Sequence, residues 1–248
     1  MDQLYGHSRD VVKNLYALRT PAGFVPSWLP GWSKAVPVVH ISPAMGAHFS
    51  QWQITFEKNG EGRGNTGANE CLAYLIAGRC AAELAGKKHR LAGGDFVYLP
   101  PETDFYFSQP SAGARLLIFE KKFQALEGYE TPGIVVGHEK AMTGKPFLGN
   151  KDALLQVLLP TDPAFDMAVN IFTYQPGATL PLVETHIMEH GLLMLEGQGI
   201  YRLDADWHPV QAGDVIWMAP YCPQWFAAIG PAPARYIYYK DVNRPVLG

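Results

Sequence analysis

The chain repeats itself, and that constrains its fold more than any other feature. Residues 70–107 align with residues 189–226 at an offset of 119, without a gap, and eight of the 38 positions are identical. The identities are Glu70/Glu189, Gly78/Gly197, Leu84/Leu203, His89/His208, Gly94/Gly213, Asp95/Asp214, Pro101/Pro220 and Phe107/Phe226. The punctuation repeats with them: an apolar run, a glycine turn, a second run, a Gly-Asp turn, and a third run ending near proline. Aligned turns and aligned apolar phase together mark two copies of one architecture. A chain of 248 residues is long enough for two small domains that each bury a core.

Each copy reads as strands. The segments VNIFTY, GLLMLEG, GIYRL, DVIWMA and RYIYYK are short, rich in β-branched and aromatic residues, and bounded by Gly, Pro or Asp. Helical patterning is confined to two short stretches, 10–18 and 152–158. The expected fold class is therefore all-β, as two tandem barrels of jelly-roll type. Residues 127–150, rich in Gly, Pro and polar side chains, are the expected linker. The expected domains are 1–128 and 129–248.

Charge and cysteine usage exclude several function classes. The net charge is −3, and the densest basic run is Lys87-Lys88-His89-Arg90. A nucleic-acid partner needs a basic face, so that class is not expected. The cysteines Cys71, Cys80 and Cys222 are odd in number and lack C-x-x-C spacing, which fits a reducing compartment. No signal-peptide core and no apolar run of spanning length occurs. The expectation is a soluble, cytoplasmic protein with no membrane partner.

The chemistry concentrates in one segment. Of eight histidines, only His186 and His190 lie close together, in Glu184-Thr185-His186-Ile187-Met188-Glu189-His190. If that segment is extended, residues 184, 186 and 190 share parity and face one way. Histidines four apart also occur on helices, or with no role at all; Pro181 before the segment and a strand run after it favour the extended form. One carboxylate and two imidazoles would then converge inside the barrel. A divalent cation offsets the cost of burying the carboxylate. Oxygen and nitrogen donors suit Mn, Fe, Co, Ni or Zn. Further along, Tyr236, Tyr238 and Lys240 alternate on the last strand and share a face. Glu189 has the opposite parity to His190 and a counterpart in Glu70. His208 likewise has one in His89, and Cys222 has no evident base, so all three read as structural.

These two elements resemble the metal-binding cupins. The usual cupin pattern is His-x-His, then Glu, then Gly seven residues on, with a second element opening Gly-Asp and ending in His eleven residues after that Gly. Here Glu184, His186 and His190 fill the first pattern with Glu and His exchanged, and Gly197 follows seven residues after His190. Gly213-Asp214 opens the second, and Gln224 stands at its ligand place. The resemblance implies a Glu184, His186, His190 and Gln224 ligand set, with the amide oxygen a weaker donor than imidazole. The same positions less 119 are Asn65, Gly67, Cys71 and Phe105. The N-terminal barrel is therefore expected to hold no metal.

The exchanged ligand set resembles the (S)-ureidoglycine aminohydrolase family over nearly the whole chain, most densely over ETHIMEHGLLMLEGQGIYRLDADWHPVQAGD and YIYYKDVNRPV. The resemblance implies one Mn²⁺ per chain, release of ammonia from (S)-ureidoglycine to give (S)-ureidoglycolate in allantoin and purine breakdown, and a homo-oligomer. It also implies substrate contacts from Tyr201, Tyr236 and Lys240. Packing is the competing reading for the tyrosines, and an exposed strand-end charge for Lys240. Two other functions compete: an Fe(II) cupin dioxygenase, against which Gln224 in place of His speaks, and a non-catalytic cupin binding protein.

Overall fold

In the computed structural model, residues 8–244 are described; the outer limits of the two expected domains, residues 1 and 248, lie outside them. The first half of the chain forms one nine-stranded antiparallel sheet. Its spine is the long strand Ser50–Asn65, which pairs with Arg115–Lys122 near its start and with Asp104–Ser108 at its end. One strand thus belongs to both walls of the first barrel. The second half has an eight-stranded sheet and a three-stranded one, the latter made of Asp206–Gln211, Gln198–Leu203 and Gln224–Ile229. The glycine of each Gly-Asp turn has a left-handed backbone, φ +93° at Gly94 and +92° at Gly213, which explains one pair of repeat identities.

Neither helical expectation holds. Residues 10–18 contain the strands Val11–Val12 and most of Tyr16–Arg19, and 152–158 falls largely in the strand Asn150–Val157. Among the described residues, helical structure is limited to three short 3-10 turns. Pairing overrides local preference here. Tyr16–Arg19 docks on Val215–Met218, and Asn150–Val157 lies between Lys145–Phe147 and Met167–Tyr174.

The expected division at 128/129 does not divide the sheets. Tyr16–Arg19 extends the second barrel's sheet, while Val135–His138, inside the expected linker, pairs with Asp95–Leu99 of the first. Each barrel lends a strand to cover an edge of the other, where unpaired backbone groups would otherwise invite other chains.

Three cores follow from strand alternation. Trp32, Phe56, Leu75 and Phe107 fill the first barrel. Tyr174, Leu203, Phe226 and Tyr236 fill the second. The opposite faces of the two sheets pack on each other through Phe49, Phe119, Met167, Trp217 and Tyr239. Phe49 stacks on Tyr239 at 4.2 Å between centroids.

The repeated glutamates lie in this third core, both almost fully buried. Tyr98 donates its hydroxyl to Glu70 at 2.7 Å, and Trp217, at the equivalent place, donates its indole N–H to Glu189 at 3.2 Å. Each also meets the other half of the chain. Glu70 lies against Asp166, with Lys121 bonded to the Asp166 carboxylate and 3.6 Å from Glu70. Glu189 accepts the backbone N–H of His48 at 2.9 Å. Ser50 pairs with Glu120 as Ala168 pairs with Lys240, so His48 and Asp166, two residues earlier, hold equivalent positions. The two glutamates clamp the barrels together around a pseudo-two-fold axis.

Candidate metal centre

Three segments bring His186, His190 and Gln224 together at one end of the second barrel, with Glu184 beside them. Glu184 is held by a pair of backbone hydrogen bonds with Gln224, at 2.8 and 2.9 Å. Gln224 opens the strand Gln224–Ile229, and His190 opens His190–Glu196. The residues between Glu184 and His190 form a loop, not the extended run that parity assumed. That loop is pinned by Tyr221 N–H to His186 O, at 2.7 Å. Proximity of His186 and His190 is therefore a product of tertiary structure, not of period-two alternation.

The tight cluster is His186, His190 and the Gln224 amide. The two imidazole Nε2 atoms lie 3.1 Å apart, and the Gln224 amide nitrogen is 3.1 Å from one and 3.4 Å from the other. His186 Nδ1 lies 3.1 Å from the carbonyl of Met188, so Nδ1 donates there and Nε2 carries the lone pair. Burial holds both imidazoles neutral: His190 well below the usual histidine range, helped by His186 and Lys240, and His186 less so, with Lys240 again contributing.

Glu184 stands beside this cluster rather than in it. Among the described residues, no three His, Cys, Asp or Glu side chains close on one point. Burial raises the Glu184 carboxyl and the nearby Lys240 ammonium opposes that shift. Lys240 shifts down, again by burial first. Lys240 lies opposite His190 in the strand register and is half-buried, not a free strand-end charge.

The Gln224 amide points its oxygen at the Tyr201 hydroxyl, 3.4 Å away, and its nitrogen at the imidazoles. Imidazole lone pairs call for a donor, which explains that orientation. A half-turn of the amide presents the oxygen instead, as a cation requires. Tyr236 bonds Tyr174 at 3.1 Å between hydroxyls. Burial raises the Tyr201 and Tyr236 phenols, so both are neutral. Glu184, His190, Tyr201, Gln224, Tyr236 and Tyr238 border a cavity of about 20 Å³, room for a single ion or water. His190, the Gln224 amide and the half-buried Glu184 carboxylate border one small cavity, with His186 Nε2 3.1 Å from His190 Nε2, and this mixed nitrogen and oxygen set fits a divalent cation.

Residues 170–239 match the Cupin domain family. The chain is 38% identical over 250 residues to a probable (S)-ureidoglycine aminohydrolase of Oryza sativa subsp. japonica, an alignment spanning 100% of this chain and 79% of that protein. It is 37% identical over 251 residues to the (S)-ureidoglycine aminohydrolase of Arabidopsis thaliana, spanning 100% of this chain and 82% of that protein.

The chain belongs to the (S)-ureidoglycine aminohydrolase family.

The crystal structure of protein Ylba from E. coli matches it with a TM-score of 0.87 and 32% identity, over 97% of this chain and 96% of that one. The ureidoglycine aminohydrolase resemblance read from the sequence is thereby established, and so is the all-β cupin architecture. Tyr238, which the sequence placed only on the face it shares with Tyr236 and Lys240, also reaches the donor cluster of this aminohydrolase site. Tyr238 stacks on the His190 ring at 5.3 Å, and Asn170 donates its amide to the Tyr238 hydroxyl at 3.2 Å. The alternation Tyr236-Tyr238-Lys240 was its only signal. Asn170 gave none, because it arrives from another strand. Glu189 turns the other way, to His48 and Trp217.

Proposed function

We propose that the chain is a metal-dependent hydrolase that releases ammonia from (S)-ureidoglycine and gives (S)-ureidoglycolate, a step of allantoin and purine breakdown. The observation that carries this reading is the meeting of His186, His190 and Gln224 within 3.4 Å, in a chain of the aminohydrolase family. Glu184, His186, His190 and Gln224 would hold one Mn²⁺ in the second barrel, and the first barrel would hold none. When bound, the cation supplies Lewis acidity and a fixed point for an anionic substrate.

This chain's own residues do the rest. Lys240 pairs with the substrate's carboxylate or ureido oxygen. The Tyr201 and Tyr236 hydroxyls, neutral by burial, orient the ureido group by hydrogen bonds once the site opens beyond its cavity of about 20 Å³. Tyr238 stacks on His190 and keeps that ring in place. The apolar walls Phe172, Leu180 and Leu192 exclude bulk water. Water enters the substrate's tetrahedral carbon as hydroxyl, the C–N bond to the amine breaks, and the nitrogen leaves as ammonia, so that atoms balance. The two barrels act as one unit, since each lends a strand to the other, and as part of this proposal the chain works as a cytoplasmic homo-oligomer.

The relatives' names favour this reading over an Fe(II) dioxygenase or a binding protein. Ammonia release from freshly made ureidoglycine, beside metal analysis of the same sample, tests it. Turnover that rises with Mn²⁺ content is expected. No ammonia from fully loaded protein, or oxygen uptake in its place, overturns it.

A further inference from the structure

The first barrel keeps a cavity at the end where the second barrel has its donor cluster. It measures about 180 Å³ and is walled by Trp32, Trp52, Phe105 and Phe107, with Cys71 and Glu120 also in its lining. Trp32 packs 6.1 to 6.5 Å from the other three rings, between centroids.

Strand register relates this cavity to the second site. Glu120 lies opposite Cys71 as Lys240 lies opposite His190. Glu120 therefore holds the place of Lys240. Ile118 and Leu116 likewise hold the places of Tyr238 and Tyr236. Phe105 pairs with Leu84 as Gln224 pairs with Leu203. Gly64, opposite Phe105, rather than Asn65, answers to Glu184. The imidazole, amide and phenol groups of the second site are thus replaced by thiol or hydrocarbon, and burial keeps the Cys71 thiol neutral. One charged position survives, with its sign reversed.

Aromatic rings around a single carboxylate are recognition chemistry for an organic cation. Ring faces attract positive charge, more strongly when desolvated, and the carboxylate supplies the counter-charge. Trp32 and Phe107 are almost fully buried and Trp52 and Phe105 half-buried, so the rings are partly desolvated. One Glu120 oxygen accepts from Asn69 at 2.7 Å, which fixes the carboxylate and leaves its second oxygen to face a ligand. Arg63, at the rim, is committed outward: it pairs with Glu61 at 2.9 Å and lies over the Tyr106 ring. The charge facing the cavity is therefore that of Glu120.

We propose that the first barrel binds a small organic monocation of the alkylated-ammonium class, seated against the aromatic walls with its charge on Glu120. This site is separate from the metal centre and does not rest on the aminohydrolase reading. Isothermal titration of the full chain with choline, and with its uncharged isostere 3,3-dimethylbutan-1-ol, tests it. Saturable binding of choline at one site per chain is expected, with the alcohol about tenfold weaker or more. Glu120→Gln should remove that preference, and Trp52→Leu should weaken choline binding, while metal content and ammonia release stay at parental levels. Equal binding of cation and alcohol, no saturable choline binding, or choline affinity unchanged in Glu120→Gln overturns the proposal.

Discussion

His48, in the first barrel, donates its backbone N–H to the Glu189 carboxylate at 2.9 Å, one residue before His190. The same carboxylate takes the Trp217 indole N–H at 3.2 Å, and Asp241 accepts the Glu189 backbone N–H at 2.6 Å. Gly191, on the other side of His190, packs so closely on the first barrel that a Cβ would come within 2.5 Å of the Phe49 ring. The strand that presents His190 is therefore gripped on both sides by the barrel that lacks the donor cluster. Glu189→Ala leaves the buried Trp217 indole N–H without an acceptor, at about 1–3 kcal/mol, and removes the partner of the part-buried His48 N–H. Chemical denaturation should register that loss, and Mn²⁺ affinity should fall as the His190 strand loosens. Glu189→Gln retains an acceptor and should lose less of both. Parental metal affinity in a destabilised Glu189→Ala protein would separate the clamp from the metal centre.

Glu70 makes the corresponding contact in the other direction and carries a pH signature. Burial pushes its carboxyl up to about 9, Asp166 adds to the shift, and Lys121 opposes it. Tyr98, Lys121, Asp166 and Tyr239 are the titratable groups around it. Glu70 Oε1 and Asp166 Oδ1 accept no hydrogen bond, and a proton on Glu70 lets it donate to Asp166. The folded value lies above the ordinary 4.5, so the folded state holds a proton that the unfolded chain releases. The associated stability is complete below about pH 4.5 and declines as pH rises towards 9, by at most about 1.4 kcal/mol per unit. Glu70→Gln keeps a donor for Asp166 but cannot ionise. Its unfolding free energy should fall less than the parent's between pH 5 and pH 9. Parallel curves would mean that Glu70 is ionised in the folded protein.

Metal content tests the donor set. Purified protein should hold about one divalent ion per chain, because the proposed donors all lie in the second barrel. Gln224→His replaces an amide with a stronger imidazole donor. It should retain metal, bind Zn²⁺ or Ni²⁺ more tightly and turn over more slowly. His186→Ala should lose metal far more completely. Full metal and full activity in both variants would remove these residues from the ligand set, and a well-occupied second site would contradict the contrast between the barrels.

The repeat made the barrels legible because turns and apolar phase are local signals. The exchange of Tyr16–Arg19 and Val135–His138 was not legible, because nothing local in those residues names a partner about 200 positions away or in the other half. That His186, His190 and Gln224 meet was legible, but the cause of their meeting was not. His186 and His190 converge through a loop pinned by Tyr221 and a bridge from Glu184 to Gln224, whereas parity presumes a strand. Orientation of the Gln224 amide depends on which neighbours donate, and Tyr238 is positioned by Asn170, 68 residues away. Such facts belong to packing.

Lys240 decides between chemistry and surface charge. It is half-buried opposite His190, and burial lowers its pKa while Glu184 holds it up. A substrate carboxylate or ureido oxygen paired with that ammonium gains a charge-assisted hydrogen bond in a largely dry barrel, typically worth roughly 1.5–3 kcal/mol. Lys240→Met should therefore lower kcat/KM by about ten- to a hundredfold, taking about 1.4 kcal/mol per decade. Metal content should stay at the parental level, because Lys240 is outside the donor set. The barrel should stay folded, because the methionine stem packs where the lysine stem did. A lysine without a substrate contact would instead change the rate by less than about threefold, the scale of a surface substitution. Steady-state ammonia release by metal-loaded Lys240→Met beside the parent makes the comparison. Near-parental kinetics would take Lys240 out of the site and leave substrate recognition to Tyr201 and Tyr236.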